Sequence, residues 1–299
     1  MDGPARHRTL ELRLVALPQS PAMMAAALAP LLGMSTGGLL DRLAEGRVVL
    51  VADLAPETAR RISVLAAVMD WPVQIGPPLQ GGLRDLSAQL AVWADAERVS
   101  ARLAPLLGMD QAAVATALAR PGGLVLAGLD PSRAAATEGL LRRTRGLVVT
   151  ASDPATARHD IYPSRPLSRA EAERLSACLG RIGAAGDALT GALASGLSRV
   201  LRDHILSRCP DLDLVAIDRR FQRFDLVLTG TCGWVTRDLA DFLAARTQQP
   251  RARFEALSPA APVTLDLGLR DTVARQFCGD YAAIGLFVRP VLSHRSGNP

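Results

Sequence analysis

The chain has 299 residues, 49% of them hydrophobic, with 34 basic against 29 acidic side chains and a formal net charge of +5. That length and apolar content exclude a disordered chain and leave room for two or three cores, at roughly 100–200 residues per domain. Every basic residue outside the histidines is Arg, and no long run of like charge occurs, so the positive balance reads as a solvated surface and not as a dedicated polyanion patch.

The amino-terminal stretch MDGPARHRTLELRLV carries Arg6, Arg8 and Arg13 but no apolar run of the length a secretory signal needs, so a cytoplasmic location is expected. A strand is predicted over 10–17, followed by a Ser20-Pro21 helix start. That helix carries Met24, Leu28, Leu31 and Leu32 on one face and stops at Gly33, where a left-handed cap suits glycine. Ser35 then caps a second helix, and a strand over 48–52, a helix over 56–69 and a strand over 73–75 complete the unit.

The heptapeptide LAPLLGM at 28–34 recurs at 103–109, an offset of 75 residues. Without a gap, Ala52, Leu54 and Pro56 also match Ala127, Leu129 and Pro131, and Ala59, Leu65 and Val73 match Ala134, Leu140 and Val148. Shared positions that are apolar or turn-forming mark a duplicated fold and not a duplicated site. The second copy predicts a strand over 86–93, an Asp95 cap, a helix ending at Gly108, an Asp110 cap, and elements over 124–127, 131–143 and 147–150. Pro30 and Pro105 predict a kink or an early stop near the end of each first helix.

Residues 167–210 read as a helical connector, with Ser168 and Glu171 at capping-box spacing and an apolar stripe of Leu175, Ile182, Leu189, Leu193, Val200 and Leu201. A continuous helix of that length would span roughly 60 Å, and Gly180, Gly183, Gly186, Gly191 and Gly196 predict a bend or two shorter helices. Arg181, Asp187 and Arg199 interrupt any membrane span. A divergent third unit follows over 211–293, with strands at 224–228, 263–267 and 284–291 and helices at 236–246, 251–257 and 270–281. The expected class is α+β: three β-α-α-β-α-β modules in tandem (1–77, 84–153 and 211–293), with the connector before the third.

The unit LAPLLGMSTGGLLDRLAEGRVVLVADLAPETARRISVLAAVMDWPVQI resembles the fold shared by the C-terminal domain of the ribosomal stalk protein and the ClpS adaptor. The G-M-S turn and the run Glu45-Gly46-Arg47 carry the likeness to ClpS. The resemblance implies a three-stranded sheet with three helices and a role in recruiting protein partners. It carries no binding residue across: Leu17-Pro18-Gln19-Ser20 stands where ClpS has its Asn-Asp loop, Leu43 near its pocket histidine, and Gly33 to Leu43 lacks the stalk domain's lysines.

Chemistry-bearing residues are sparse. Cys178, Cys209, Cys232 and Cys278 form no C-x-x-C pair and read as reduced buried thiols. His204 and Cys209 could form a nucleophile pair, although a capping histidine and a buried thiol explain them better. Asp211, Asp213 and Asp218 alternate with Leu212, Leu214 and Ile217, the pattern of a strand's solvent face, with loose cation binding as the alternative. The Gly-Gly pairs at 37–38, 81–82 and 122–123 lack phosphate-loop spacing. No catalytic, cofactor-binding or metal-ligating residue is assigned, and no cofactor is expected. Trp71, Trp93 and Trp234 each flank a predicted strand; core packing is the favoured reading of each, with a partner-binding anchor as the alternative. The function expected is a non-enzymatic protein-binding adaptor or scaffold without a membrane span. The alternatives are an Arg-mediated RNA- or DNA-binding protein and a small-molecule enzyme using His204 and Cys209.

Overall fold

The computed structural model describes residues 10–47, 49–77, 82–232, 237–248, 250–255 and 263–294. The first unit runs β1 (Leu10–Leu14), α1 (Pro21–Leu32), α2 (Thr36–Ala44), β2 (Val49–Leu54), α3 (Pro56–Val68) and β3 (Val73–Gly76). The second runs β4 (Arg84–Leu90), α4 (Ala96–Leu107), α5 (Gln111–Ala119), β5 (Leu124–Leu129), α6 (Pro131–Arg143) and β6 (Leu147–Ser152). All three helices and the second strand begin and end at the 75-residue offset, so the repeat in letters is a repeat in structure.

The repeated LAPLLGM is a helix end and a hinge. Gly33 and Gly108 adopt φ of 62° and 64°, the left-handed cap. Ser35 Oγ then accepts from the Gly38 N–H, and Asp110 Oδ2 from the Ala113 N–H, each at 3.1 Å. The early stop expected at Pro30 and Pro105 does not occur, since α1 and α4 continue to Leu32 and Leu107. Each proline forfeits one hydrogen bond, to the carbonyl of Ala26 or Ala101, but only two helical residues follow it before the glycine cap closes the turn onto the carbonyls of Ala29 and Ala104.

The stretch expected as a helical connector is built otherwise. It holds α7 (Arg169–Arg181), β8 (Ala194–Leu197) and α8 (Arg199–Arg208), and β8 pairs in a further sheet with β7 (His159–Pro163), which pairs with β9 (Leu214–Asp218); these five elements are the third of four units, and the carboxyl-terminal unit is the fourth. Ser168 and Glu171 do form the capping box. Gly183, Gly191 and Gly196 then take φ of 65°, 75° and 69°, which no helix accommodates. The carboxyl-terminal unit therefore starts after β9 and a single 3-10 turn (Arg219–Phe221), with β10 (Phe224–Thr231), α9 (Arg237–Thr247), α10 (Ala252–Glu255), β11 (Val263–Leu269), α11 (Asp271–Ala283) and β12 (Leu286–Leu292). The described residues form four three-stranded antiparallel sheets, ordered β2-β1-β3, β5-β4-β6, β8-β7-β9 and β11-β10-β12.

One irregularity recurs in all four. The first strand pairs Leu10 with Leu54 and Leu12 with Val51; the same slip appears at Arg84/Leu129 and Leu86/Leu126, at His159/Leu197 and Ile161/Ala194, and at Phe224/Leu269 and Leu226/Asp266. The next-to-last residue of the bulged strand has positive φ: Asp53, Gly128, Gly196 and Gly268. In three units its N–H donates to an aspartate on the central strand, Gly128 to Asp85 at 2.7 Å, Gly196 to Asp160 at 2.6 Å and Gly268 to Asp225 at 2.7 Å. The bulge turns the chain out of the sheet, and a helix (α3, α6, α8 or α11) begins two residues later in every case.

The first unit's buried cluster takes Leu12, Met24, Leu28, Leu39, Leu43, Leu50, Ile62 and Trp71 from its own elements and Val200 from the third. The third and fourth units share a cluster, in which Tyr162, Ala192, Ile217 and Phe221 meet Phe224, Leu226, Phe254 and Tyr281. Among the described residues no helix is long and apolar enough to cross a membrane.

Candidate functional site

Two surface features collect the side chains that chemistry or binding would need. The first is a hollow of about 420 Å³ between α7 and α8, lined by Ala177, Cys178, Cys209 and Leu212 and edged by Arg174, Arg181, His204, Arg208 and Asp211. The structure thus brings His204, Cys209 and Asp211 together, as their sequence proximity allowed, and adds Cys178 from α7, which no local spacing signalled. The electrostatics oppose a Cys–His nucleophile. Burial pushes the Cys209 thiol up and the neighbouring Cys178 adds to it, while burial and the Arg208 charge push the His204 imidazole down. A thiolate–imidazolium pair needs both shifts reversed.

Asp213 and Asp218 do not join this hollow. Asp218 is buried and not on a solvent face, because its Oδ1 caps the 3-10 turn by accepting from the Arg220 N–H at 2.9 Å. No group of three or more His, Cys, Asp or Glu among the described residues is placed to hold a metal ion. Positive charge dominates the rim: Arg174 lies 3.9 Å from Asp211, whereas Arg181 and Arg208 have no acidic partner within 4 Å among the described residues.

Of the three tryptophans, Trp71 lies in the core, the favoured of its two readings, and is not a partner-binding anchor. It is buried with Ile62 and Ala66, its N–H bonded to the Ala66 carbonyl at 2.9 Å after the tight turn at Asp70, whose φ is 50°. Trp234 lies outside the described residues. Of the two described, Trp93 is exposed, at 68%, beside Val92 at 50%, with the Arg145 guanidinium 5.6 Å from its ring centroid.

Val92 and Trp93 border the second feature, an open groove of about 1030 Å³ running along the loop before α4 and the first turns of α4 and α5 to Ala115. Its rim carries Asp95, Glu97 and Asp110. Asp95 Oδ1 accepts from the Glu97 and Arg98 N–H groups, and Asp110 Oδ2 from that of Ala113, so the two caps that build the helices also fix two of the groove's carboxylates.

A buried polar network went unread in the sequence. Asp160, on β7, accepts from Arg219 Nε at 2.8 Å and Gln222 Nε2 at 3.0 Å as well as from Gly196. It holds the third sheet to the turn leading into the fourth, and burial pushes the adjoining Tyr162 hydroxyl well above its ordinary range. Its signal was the recurring letter pattern R-D-L, H-D-I and F-D-L, with A-G-L, S-G-L and L-G-L as the partner strands.

Comparison with protein-family models, with curated proteins and with solved structures finds no match to this chain.

Proposed function

We propose that this chain is a non-enzymatic protein-binding adaptor or scaffold, presenting a partner-binding face on its second unit. The observation that carries the reading is the open groove at Val92 and Trp93: an indole left exposed at the edge of a groove is among the side chains in which binding hot spots are enriched. The β-α-α-β-α-β order of the first, second and fourth units is that of the stalk and ClpS adaptor folds, and repeated units suit a molecule that gains avidity from linked weak sites. The thiol and imidazole shifts in the α7–α8 hollow argue against the enzyme alternative.

The test is capture of partners from the native host by the tagged full chain and by its Trp93→Ala variant, with the eluates identified by mass spectrometry. The adaptor reading expects a protein that the wild type retains at about 0.5 M salt, where the Debye length is about 4 Å, and that the variant loses. Loss of the partner below about 0.3 M salt, with nucleic acid in the eluate, would replace it by the polyanion reading. A turnover abolished by His204→Ala with Cys209→Ala would replace it by the enzyme reading.

A further inference from the structure

The groove around Trp93 has a twin within the chain. At the 75-residue offset Val92 and Trp93 correspond to Leu17 and Pro18, and Ala115 corresponds to Leu40. In the first unit this surface meets the third unit: Pro18 is buried, and Leu17 packs against the apolar cluster of Leu175, Leu179, Leu201 and Ile205. Arg181, Ile182, Leu201 and His204, all from the α7–α8 region, stand across an open hollow of about 440 Å³ from Leu17, Pro18 and Leu40, so the third unit flanks this surface without filling it. The same surface of the second unit is bare, and there the buried proline has become a protruding tryptophan.

Charge names a complement. Asp95, Glu97 and Asp110 on the groove rim have no cationic partner within 4 Å among the described residues. The α7–α8 hollow offers the opposite sign: among the described residues Arg181 and Arg208 have no acidic partner within 4 Å, and Ala177, Cys178, Cys209 and Leu212 share its lining. One surface projects an aromatic ring, with Arg145 against it, beside three carboxylates, and the other sets Cys178, Cys209 and Leu212 among three arginines and one acid, Asp211. This region already faces the equivalent loop inside the molecule.

We infer that the Trp93 groove docks on the α7–α8 face of a second copy of this chain, with Trp93 entering the hollow at Cys178, Cys209 and Leu212 and the rim carboxylates against Arg181 and Arg208. The inference rests on reading Trp93 as an anchor, and it names the chain itself as the partner. The two patches lie on different units, so the contact is head-to-tail: each molecule keeps one free groove and one free face, and association continues beyond the dimer unless the geometry closes a ring.

Sedimentation of the purified full chain tests this directly. At about 100 µM the wild type should sediment as species larger than the 31.6 kDa monomer, while Trp93→Ala and the double variant Arg181→Glu/Arg208→Glu should each self-associate about tenfold or more weakly. An equimolar mixture of the two variants should form a dimer that does not grow, because one supplies an intact face and the other an intact groove. Melting of each variant as cooperatively as the wild type separates a lost contact from a lost fold. A wild type that stays monomeric, variants that sediment like it, or a mixture that remains monomeric overturns the inference. A monomeric wild type that still captures a host protein through Trp93 would leave the adaptor reading standing and remove only this one.

Discussion

Single residues carry the sharpest consequences of the repeated hinge. Gly33 and Gly108 have open space around an added Cβ but φ near 60°, so Gly→Val at either should cost about 1 kcal/mol or more from backbone strain alone. Gly37 lies inside α2 with ordinary φ and open space, so Gly37→Ala should instead stabilise by roughly 0.5–1 kcal/mol. Urea denaturation of the three variants checks the contrast, and equal effects would reject the hinge. Gly46 combines both penalties: φ is 60°, and a Cβ there would meet Ser198 Oγ and come within 2.9 Å of Leu201 Cγ across the boundary between the first and third units. Gly46→Ala should therefore destabilise by about 2 kcal/mol or more, where Gly33→Ala loses only the strain.

Glu171 gives a pH signature at the same scale. Arg165, whose Nη2 donates at 2.6 Å, and the Ser168 backbone N–H at 2.7 Å hold its carboxyl down at about 2. A lowered folded-state value contributes stability that is present above the unfolded carboxylate range and disappears as pH falls through about 2. The difference in Tm between the wild type and Glu171→Gln should thus be full at pH 6 and close as pH drops from about 4.5 to 2. Melts across that range check it. A gap that stayed constant would assign the effect to packing.

At the scale of elements, the bulge is the feature shared by all four sheets, and its aspartates are not equivalent. Asp85 is partly exposed and bonds the Gly128 N–H, whereas Asp160 is buried and also receives Arg219 and Gln222. Asp85→Ala should cost about 0.5–1.5 kcal/mol, the ordinary range for one hydrogen bond. Asp160→Ala strands a half-exposed guanidinium and a buried amide and should cost about 3 kcal/mol or more. Chemical denaturation of both variants tests the ranking. A reversed order would mean that the network is incidental to the fold.

For the whole molecule, the cores predict which parts stand alone. The first unit's buried cluster is its own except for Val200, so a fragment of residues 1–77 should fold and melt cooperatively, at a lower temperature than the full chain. The third and fourth units share Tyr162, Ile217, Phe221 and Phe224 in one cluster, so a fragment begun at residue 219 should lose its cooperative melt. Thermal melts by circular dichroism read both. An unfolded 1–77 fragment would show that the units depend on one another throughout.

The first two units were legible in the letters, because caps, glycine hinges and apolar periodicity are local and LAPLLGM repeats them in register. The capping box at Ser168 and the elements after Phe224 were legible for the same reason. The strand β8 was not. Its four residues, Ala-Ser-Gly-Leu, have no strand propensity of their own and gain their form by pairing with His159 and Ile161, which no local pattern encodes. Among the candidate site residues, sequence placed Trp71 and Trp93 alike beside strands. Only packing separated them, burying one under α3 and leaving the other bare because no third-unit helix covers the second copy's loop. Likewise the letters put Cys209 near His204, but the arrival of Cys178 and the partial burial that pushes the thiol up came from the meeting of two helices. Local bonding preferences are written residue by residue, whereas exposure and charge environment depend on which distant surface arrives, and that only the tertiary fold decides.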